Sequence, residues 1–119
     1  MQKIGFLILG LVLGAALMWA VPHFANRPDV DPASAARGKT FYQVCAACHG
    51  PHAMGNPANQ APRLRGQHPW YLIRQLKNFR AGIRGVDGKD TNGLVMRPMS
   101  LTLPNDQAVE DVVAYISTL

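Results

Sequence analysis

The chain has 119 residues, a formal net charge of +5, 48% apolar residues and 16% charged ones. That length allows one domain at most. With neither a basic run nor a nucleic-acid-binding module present, nucleic acid is not an expected partner, and the positive charge points to an acidic protein or an anionic membrane without choosing between them.

Ile4 to Val21 is apolar and carries no charge, close to the ~20 residues that a spanning helix needs. Lys3 on the short side places that end toward the cytoplasm, and Trp19 suits the outer interface. A single-pass anchor over residues 1–25 is the expectation, with a bacterial inner membrane and a periplasmic domain as its consequence. A cleaved signal peptide is the competing reading. A cut after Ala25 or Ala20 would put His23 or Met18 where the peptidase prefers a small residue. Both readings export the rest of the chain to where thiol chemistry proceeds. Residues 26–31 read as a polar linker and residues 32–119 as the domain. A domain that small often needs a metal, a disulfide or another staple.

Asp31-Pro32 predicts a helix start, with a capping carboxylate and a proline at the first helical position. The helix continues toward the only two cysteines, in Cys45-Ala46-Ala47-Cys48-His49. Cys45, Cys48 and His49 are spaced i, i+3 and i+4, so one helical face presents all three. Two sulfurs can bond the two vinyl groups of a haem while the adjacent imidazole reaches the iron, and the motif is a signature of c-type haem attachment. A thioredoxin-like pair would need a βαβ pattern, which is missing. A structural zinc site would need four ligands, and His23, His52 and His68 do not form a second pair with the motif.

Downstream, Trp70 to Ala81 predicts a helix, with Leu72, Leu76, Phe79 and Ile83 on an apolar face and Arg74, Lys77, Arg80 and Arg84 on a basic one. Gly82, Gly85 and Gly88 mark a loop. Leu94-Val95-Met96-Arg97-Pro98-Met99 reads as a proline-containing loop. Pro104 to Leu119 predicts a last helix, with Val109, Val112, Val113 and Ile116 inward and Asp106, Glu110 and Asp111 favourably placed toward its N-terminal dipole. No strand pattern is convincing. A second iron ligand has candidates in Met54, Met96, Met99, His52 and His68. Met54 and His52 follow His49 too closely to reach round a macrocycle, and spacing leaves Met96 and Met99 both open.

These segments together resemble class I cytochromes c, and in particular one half of the dihaem bacterial cytochromes of the c4 type. The likeness runs from Ala36 to Leu119. It is carried by Gly38-Lys39, Cys45-Ala46-Ala47-Cys48-His49-Gly50, Ala61-Pro62-Arg63-Leu64-Arg65-Gly66-Gln67 and Tyr71-Leu72-Ile73-Arg74-Gln75-Leu76. It continues in Phe79-Arg80-Ala81-Gly82-Ile83-Arg84, Met96-Arg97-Pro98-Met99 and Ala108-Val109-Glu110-Asp111-Val112-Val113-Ala114-Tyr115. The resemblance implies an all-α class I fold around one covalent haem c, preceded here by a single N-terminal transmembrane or signal helix. It implies Met96 as the distal iron ligand, with Met99 as runner-up. It implies Pro62 as the residue whose carbonyl accepts the other ring N–H of His49, and Gly38 and Tyr115 as the contact where first and last helices cross. One motif, where the dihaem relatives have two, implies a monohaem carrier.

The implied activity is single-electron transfer in a respiratory chain toward a terminal oxidase. The partners would be redox proteins: a quinol:cytochrome c reductase, a terminal oxidase or a dehydrogenase. A His/Met pair leaves the iron no open position for a substrate, and no Ser-His-Asp set or paired carboxylates lie near the motif, so the chain reads as no enzyme. A fixed electron-relay subunit of a membrane dehydrogenase or oxidase complex is the alternative, and a gas-binding haem sensor a further one.

Overall fold

The computed structural model describes residues 30–119. Four helices carry the domain: α1 (Pro32–His49), α2 (Pro69–Arg80), α3 (Thr91–Leu101) and α4 (Asp106–Thr118), with a 3-10 turn at Pro57–Asn59. Among the described residues there is no strand, only one isolated bridge between Asn56 and Ala61. The expected membrane helix over residues 1–25, and most of the linker, lie outside the described residues. Among those described, no helix is long and apolar enough to cross a membrane.

α1 starts as its sequence predicts. The Asp31 carboxylate accepts from the backbone N–H groups of Ala33 and Ser34, both at 3.1 Å, and Pro32 takes the first helical position. This satisfies amides that a helix start leaves without partners. The helix ends at Gly50, whose N–H bonds the Ala46 carbonyl at 2.9 Å.

α4 crosses α1 at Gly38. A Cβ at that position would overlap the backbone carbonyl of Asp111, so only glycine lets the two backbones approach this closely. Tyr115, expected at the same crossing, pairs with Tyr42 at 5.3 Å between ring centroids. Each lies four positions further along its helix than Gly38 and Asp111 do. Between and around them lies the core: Tyr42, Leu72, Leu103, Ala108, Val109, Val112, Val113 and Ile116. The inward set expected of the last helix is buried.

Asp111 departs from expectation. Rather than serving the dipole at a wet helix end, it is 2% exposed and sits inside the crossing. Its carboxylate accepts from Ser34 Oγ at 2.6 Å, Arg37 Nε at 2.7 Å, Arg37 Nη2 at 2.8 Å and Gln107 Nε2 at 3.0 Å. The Arg37 guanidinium, with the Ser34 and Gln107 donors, holds the carboxyl well below the usual carboxylate range against the opposing effect of burial.

α2 buries Leu72 and Phe79. Ile83 does not extend that face: the helix has ended, and Ile83 is 71% exposed. Arg80 donates to the carbonyls of Ser100, at 3.0 Å, and Leu103, tying α2 to the α3–α4 connection. Arg84 makes a two-point contact with Asp90 at 2.9 and 3.1 Å, reaches Gln75 Oε1 at 3.0 Å and lies 4.4 Å over the Phe79 ring. Much of the expected basic face is therefore engaged within the fold.

The Met-x-x-Met stretch is helical, not a loop. Asp90 caps α3 by accepting from the Gly93 N–H at 3.1 Å, and Pro98 sits inside the helix. A proline lacks the N–H that the Leu94 carbonyl would use, and Leu94 lies on an exposed turn where water can serve instead. α3 packs chiefly on α2.

Candidate functional site

The last turn of α1 presents Cys45, Cys48 and His49 together. Both cysteines are free thiols and half-buried, and burial raises the Cys45 pKa above its ordinary value. His49 is 4% exposed. The loop after α1 turns back over it in a sequence of backbone bonds. Gly55 N–H reaches the His49 carbonyl at 2.9 Å, and Asn56 and Ala61 exchange bonds at 2.9 and 3.0 Å. Leu64 and Arg65 both donate to the Ala53 carbonyl, at 2.9 and 3.0 Å. Gly55 makes this fold-back possible: at a φ of +80° its Cβ would lie 2.7 Å from the Ala61 oxygen and the Arg63 nitrogen.

The loop delivers the Pro62 carbonyl to 2.8 Å from His49 Nδ1. A carbonyl only accepts, so Nδ1 is the protonated nitrogen and Nε2 keeps its lone pair. This is the arrangement that orients a metal-binding imidazole and raises its basicity. Tyr42 secures the same turn from inside. Its hydroxyl donates to the Gly50 carbonyl at 2.7 Å, and burial, with smaller contributions from Cys45 and Tyr115, pushes its pKa up to about 12. The sequence reading placed Tyr42 in the helix but missed this bond, which joins residues eight apart across the helix end.

The remaining candidates spread out. His52 and Met54 are exposed in the loop after α1, and His68 is exposed at the start of α2. Met96 is half-buried on α3, and Met99, one turn on, is 38% exposed.

Three features bear on whether a haem fits. Cys45, Cys48 and His49 lie together on the last turn of α1, two thiols for two thioether bonds and an imidazole beside them for a metal. Val44, Leu94, Val95, Met99 and Leu101 leave apolar surface on α1 and α3 for a large apolar group to cover. Next to Met96, Arg97 Nε is buried without a hydrogen-bond acceptor among the described residues. A carboxylate such as a haem propionate has the chemistry that atom lacks. The residues present fit the group.

A helical domain whose first helix ends in this motif, crossed by its last helix at a glycine and with the imidazole held by a loop carbonyl, is a class I c-type cytochrome. Residues 35–119 match the family model described as "Cytochrome c", and the chain belongs to the cytochrome c family. Cytochrome c4 of Azotobacter vinelandii is 34% identical over 107 residues, covering 80% of this chain and 49% of the relative. A thiosulfate dehydrogenase electron acceptor of Thiomonas intermedia is 36% identical over 112 residues, covering 94% of this chain and 43% of the relative. The crystal structure of reduced recombinant cytochrome c4 from Pseudomonas stutzeri superposes with a TM-score of 0.65 at 34% identity, over 76% of this chain and 50% of that one. The chain thus spans about half the length of the relatives it matches. One covalent haem c, attached at Cys45-Ala46-Ala47-Cys48-His49, and electron transfer follow from the family and the motif together.

Proposed function

We propose that this chain is a monohaem electron carrier of a respiratory chain, anchored by its N-terminus to the periplasmic face of a bacterial inner membrane. It takes electrons from a quinol:cytochrome c reductase or a dehydrogenase and passes them toward a terminal oxidase. The observation that carries the reading is the buried His49 imidazole with Nδ1 at 2.8 Å from the Pro62 carbonyl. It leaves one nitrogen for iron and fixes the ring so that little rearranges when charge changes. Likeness to a protein named as an electron acceptor for thiosulfate dehydrogenase favours a dehydrogenase as a donor. The haem, when bound, supplies a one-electron ferric/ferrous couple.

The chain's own residues set the terms of that couple. Cys45 and Cys48 would hold the macrocycle to α1, and His49 and Met96 on α3 would supply an imidazole nitrogen and a thioether to its iron. A thioether there raises the potential relative to a second nitrogen ligand and leaves no coordination position for substrate. Tyr42 and Pro62 keep the turn and the ring in place.

Met96→Ala is expected to abolish the near-infrared sulfur-to-iron band of the oxidised protein, lower the potential and let the reduced protein bind carbon monoxide. Met99→Ala should keep the band. The reverse pattern would make Met99 the ligand. Free binding of carbon monoxide to the unaltered protein would sink the carrier reading in favour of a gas-binding haem.

A further inference from the structure

The acid-free stretch between Asp31 and Asp87 contains eight lysines and arginines: Arg37, Lys39, Arg63, Arg65, Arg74, Lys77, Arg80 and Arg84. The fold spends several of them. Arg37 pairs with Asp111, Lys77 with Asp106 and Arg84 with Asp90, while Arg80 serves backbone carbonyls. Arg63, Arg65 and Arg74 join none of the ion pairs among the described residues, and all three are exposed. In the chain they bracket an exposed aromatic group. Trp70 is 60% exposed and Tyr71 is exposed beside it. His68 stacks on the indole with centroids 6.3 Å apart, Tyr71 meets it edge-on at 5.9 Å and the Arg74 guanidinium lies 5.6 Å over it.

Internal contacts order this patch before anything binds. Arg63 Nε donates to the Arg65 carbonyl at 3.0 Å, and Gln67 donates to the Arg63 carbonyl. The Arg65 N–H is fixed to Ala53 at 3.0 Å. An exposed tryptophan braced by a tyrosine, a histidine and one arginine has the composition of an interface hot spot, with less side-chain entropy left to lose. The patch also begins one residue after Pro62, whose carbonyl meets the His49 ring, so a partner seated on Arg63 rests on the loop that holds that imidazole.

We infer that the surface formed by Arg63, Arg65, Trp70, Tyr71 and Arg74 docks an acidic face of a redox protein, with Trp70 as its central anchor. The inference rests on the electron-carrier reading and adds the surface through which the electron passes. Positive charge without internal partners calls for carboxylates opposite. The aromatic centre calls for an apolar spot among them, which distinguishes a protein face from a simple polyanion.

The experiment uses the full-length holoprotein in mild detergent, with solubilised membranes of source cells that lack the chromosomal copy. Oxidation of the ferrous protein and reduction of the ferric protein by these membranes are followed at the haem band against ionic strength. Trp70→Ala should slow at least one of the two reactions about tenfold or more, the rate equivalent of losing a hot spot. The R63E/R65E variant should slow the same reaction and flatten its salt dependence, whereas Lys77→Glu should leave it unchanged. Haem content and reduction potential should match the unaltered protein in every variant. Unaltered rates in both Trp70→Ala and R63E/R65E would overturn the proposal, as would equal slowing by Lys77→Glu. Release of Trp70→Ala from phosphatidylglycerol vesicles at an unchanged electron-transfer rate would also overturn it, making lipid the occupant. An unaltered protein that the membranes reduce but do not oxidise would refute the oxidase route while still letting the reduction rates judge the patch. One that reacts in neither direction would overturn both.

Discussion

The crossing of α1 and α4 and the packing of α3 are held by different means. At the crossing the polypeptide satisfies itself. Gly38 meets the Asp111 backbone, the Asp111 carboxylate takes bonds from three side chains, and five apolar residues of α4 are buried around it. α3 is unfinished by comparison. It carries a proline in its interior, exposes Leu94, Val95, Met99 and Leu101, and leaves Arg97 Nε without an acceptor among the described residues. The difference separates a scaffold that protein atoms complete from a helix with apolar surface and a buried donor left over. Substitutions at the crossing should therefore be read as stability, and, under the proposed ligation by Met96, substitutions on α3 as coordination and potential.

The largest effect is expected at Gly38. Gly38→Ala places a methyl group against the Asp111 carbonyl, backbone that cannot swing aside. The loss should reach or exceed the top of the ~1–3 kcal/mol range of overpacking, seen as a collapse of the thermal midpoint and of haem-protein yield. A stable Gly38→Ala protein would mean that the helices can slide apart without cost.

Asp111→Asn comes next. It keeps the shape but weakens the pairing with Arg37, and should cost about 2–3 kcal/mol at neutral pH, below the ~3–5 kcal/mol of a fully buried broken pair. The discount reflects Arg37, whose side chain is 52% exposed. The pH dependence has a definite sign. The folded pKa of Asp111 is depressed, so its stabilisation is complete above the unfolded value of ~3.9 and is lost as the pH falls below it. Denaturation curves of the two proteins should converge in that acid range. A gap that stays constant from pH 7 to pH 3 would place the effect in packing, not in charge.

The smallest effect is expected where α2 meets α4 at the surface. The Lys77–Asp106 pair, at 3.0 Å, has both side chains well exposed, so Lys77→Ala should shift stability by no more than ~1 kcal/mol in urea titrations. A larger loss would move this contact from surface decoration into the scaffold.

What could be read along the chain was whatever depends on near neighbours. The start of α1 was legible because Asp31 and Pro32 act on the next three residues. The attachment motif was legible because i, i+3 and i+4 define one helical face wherever the helix lies. The inward face of α4 was legible from its valine spacing. Local patterns also misled. Pro98 suggested a loop where Asp90 had already nucleated a helix, and Ile83 continued a periodicity that the backbone had abandoned. The arginines of α2 and its following loop read as one basic face until Arg80 and Arg84 found partners at Ser100, Leu103 and Asp90.

The sequence by itself determined that this protein is an all-α domain with a haem-bonding turn, because those features arise from short-range spacing and from covalent chemistry. Tertiary structure decided what no window of sequence contains. Asp111 is a buried acceptor only because Ser34 and Arg37, 77 and 74 positions away, are brought against it. Trp70 remains exposed while Leu72 and Phe79 on the same helix do not, because α2 has only one side to give to the core. Hydrogen bonding and burial depend on distance in space, and only the closed chain sets that distance.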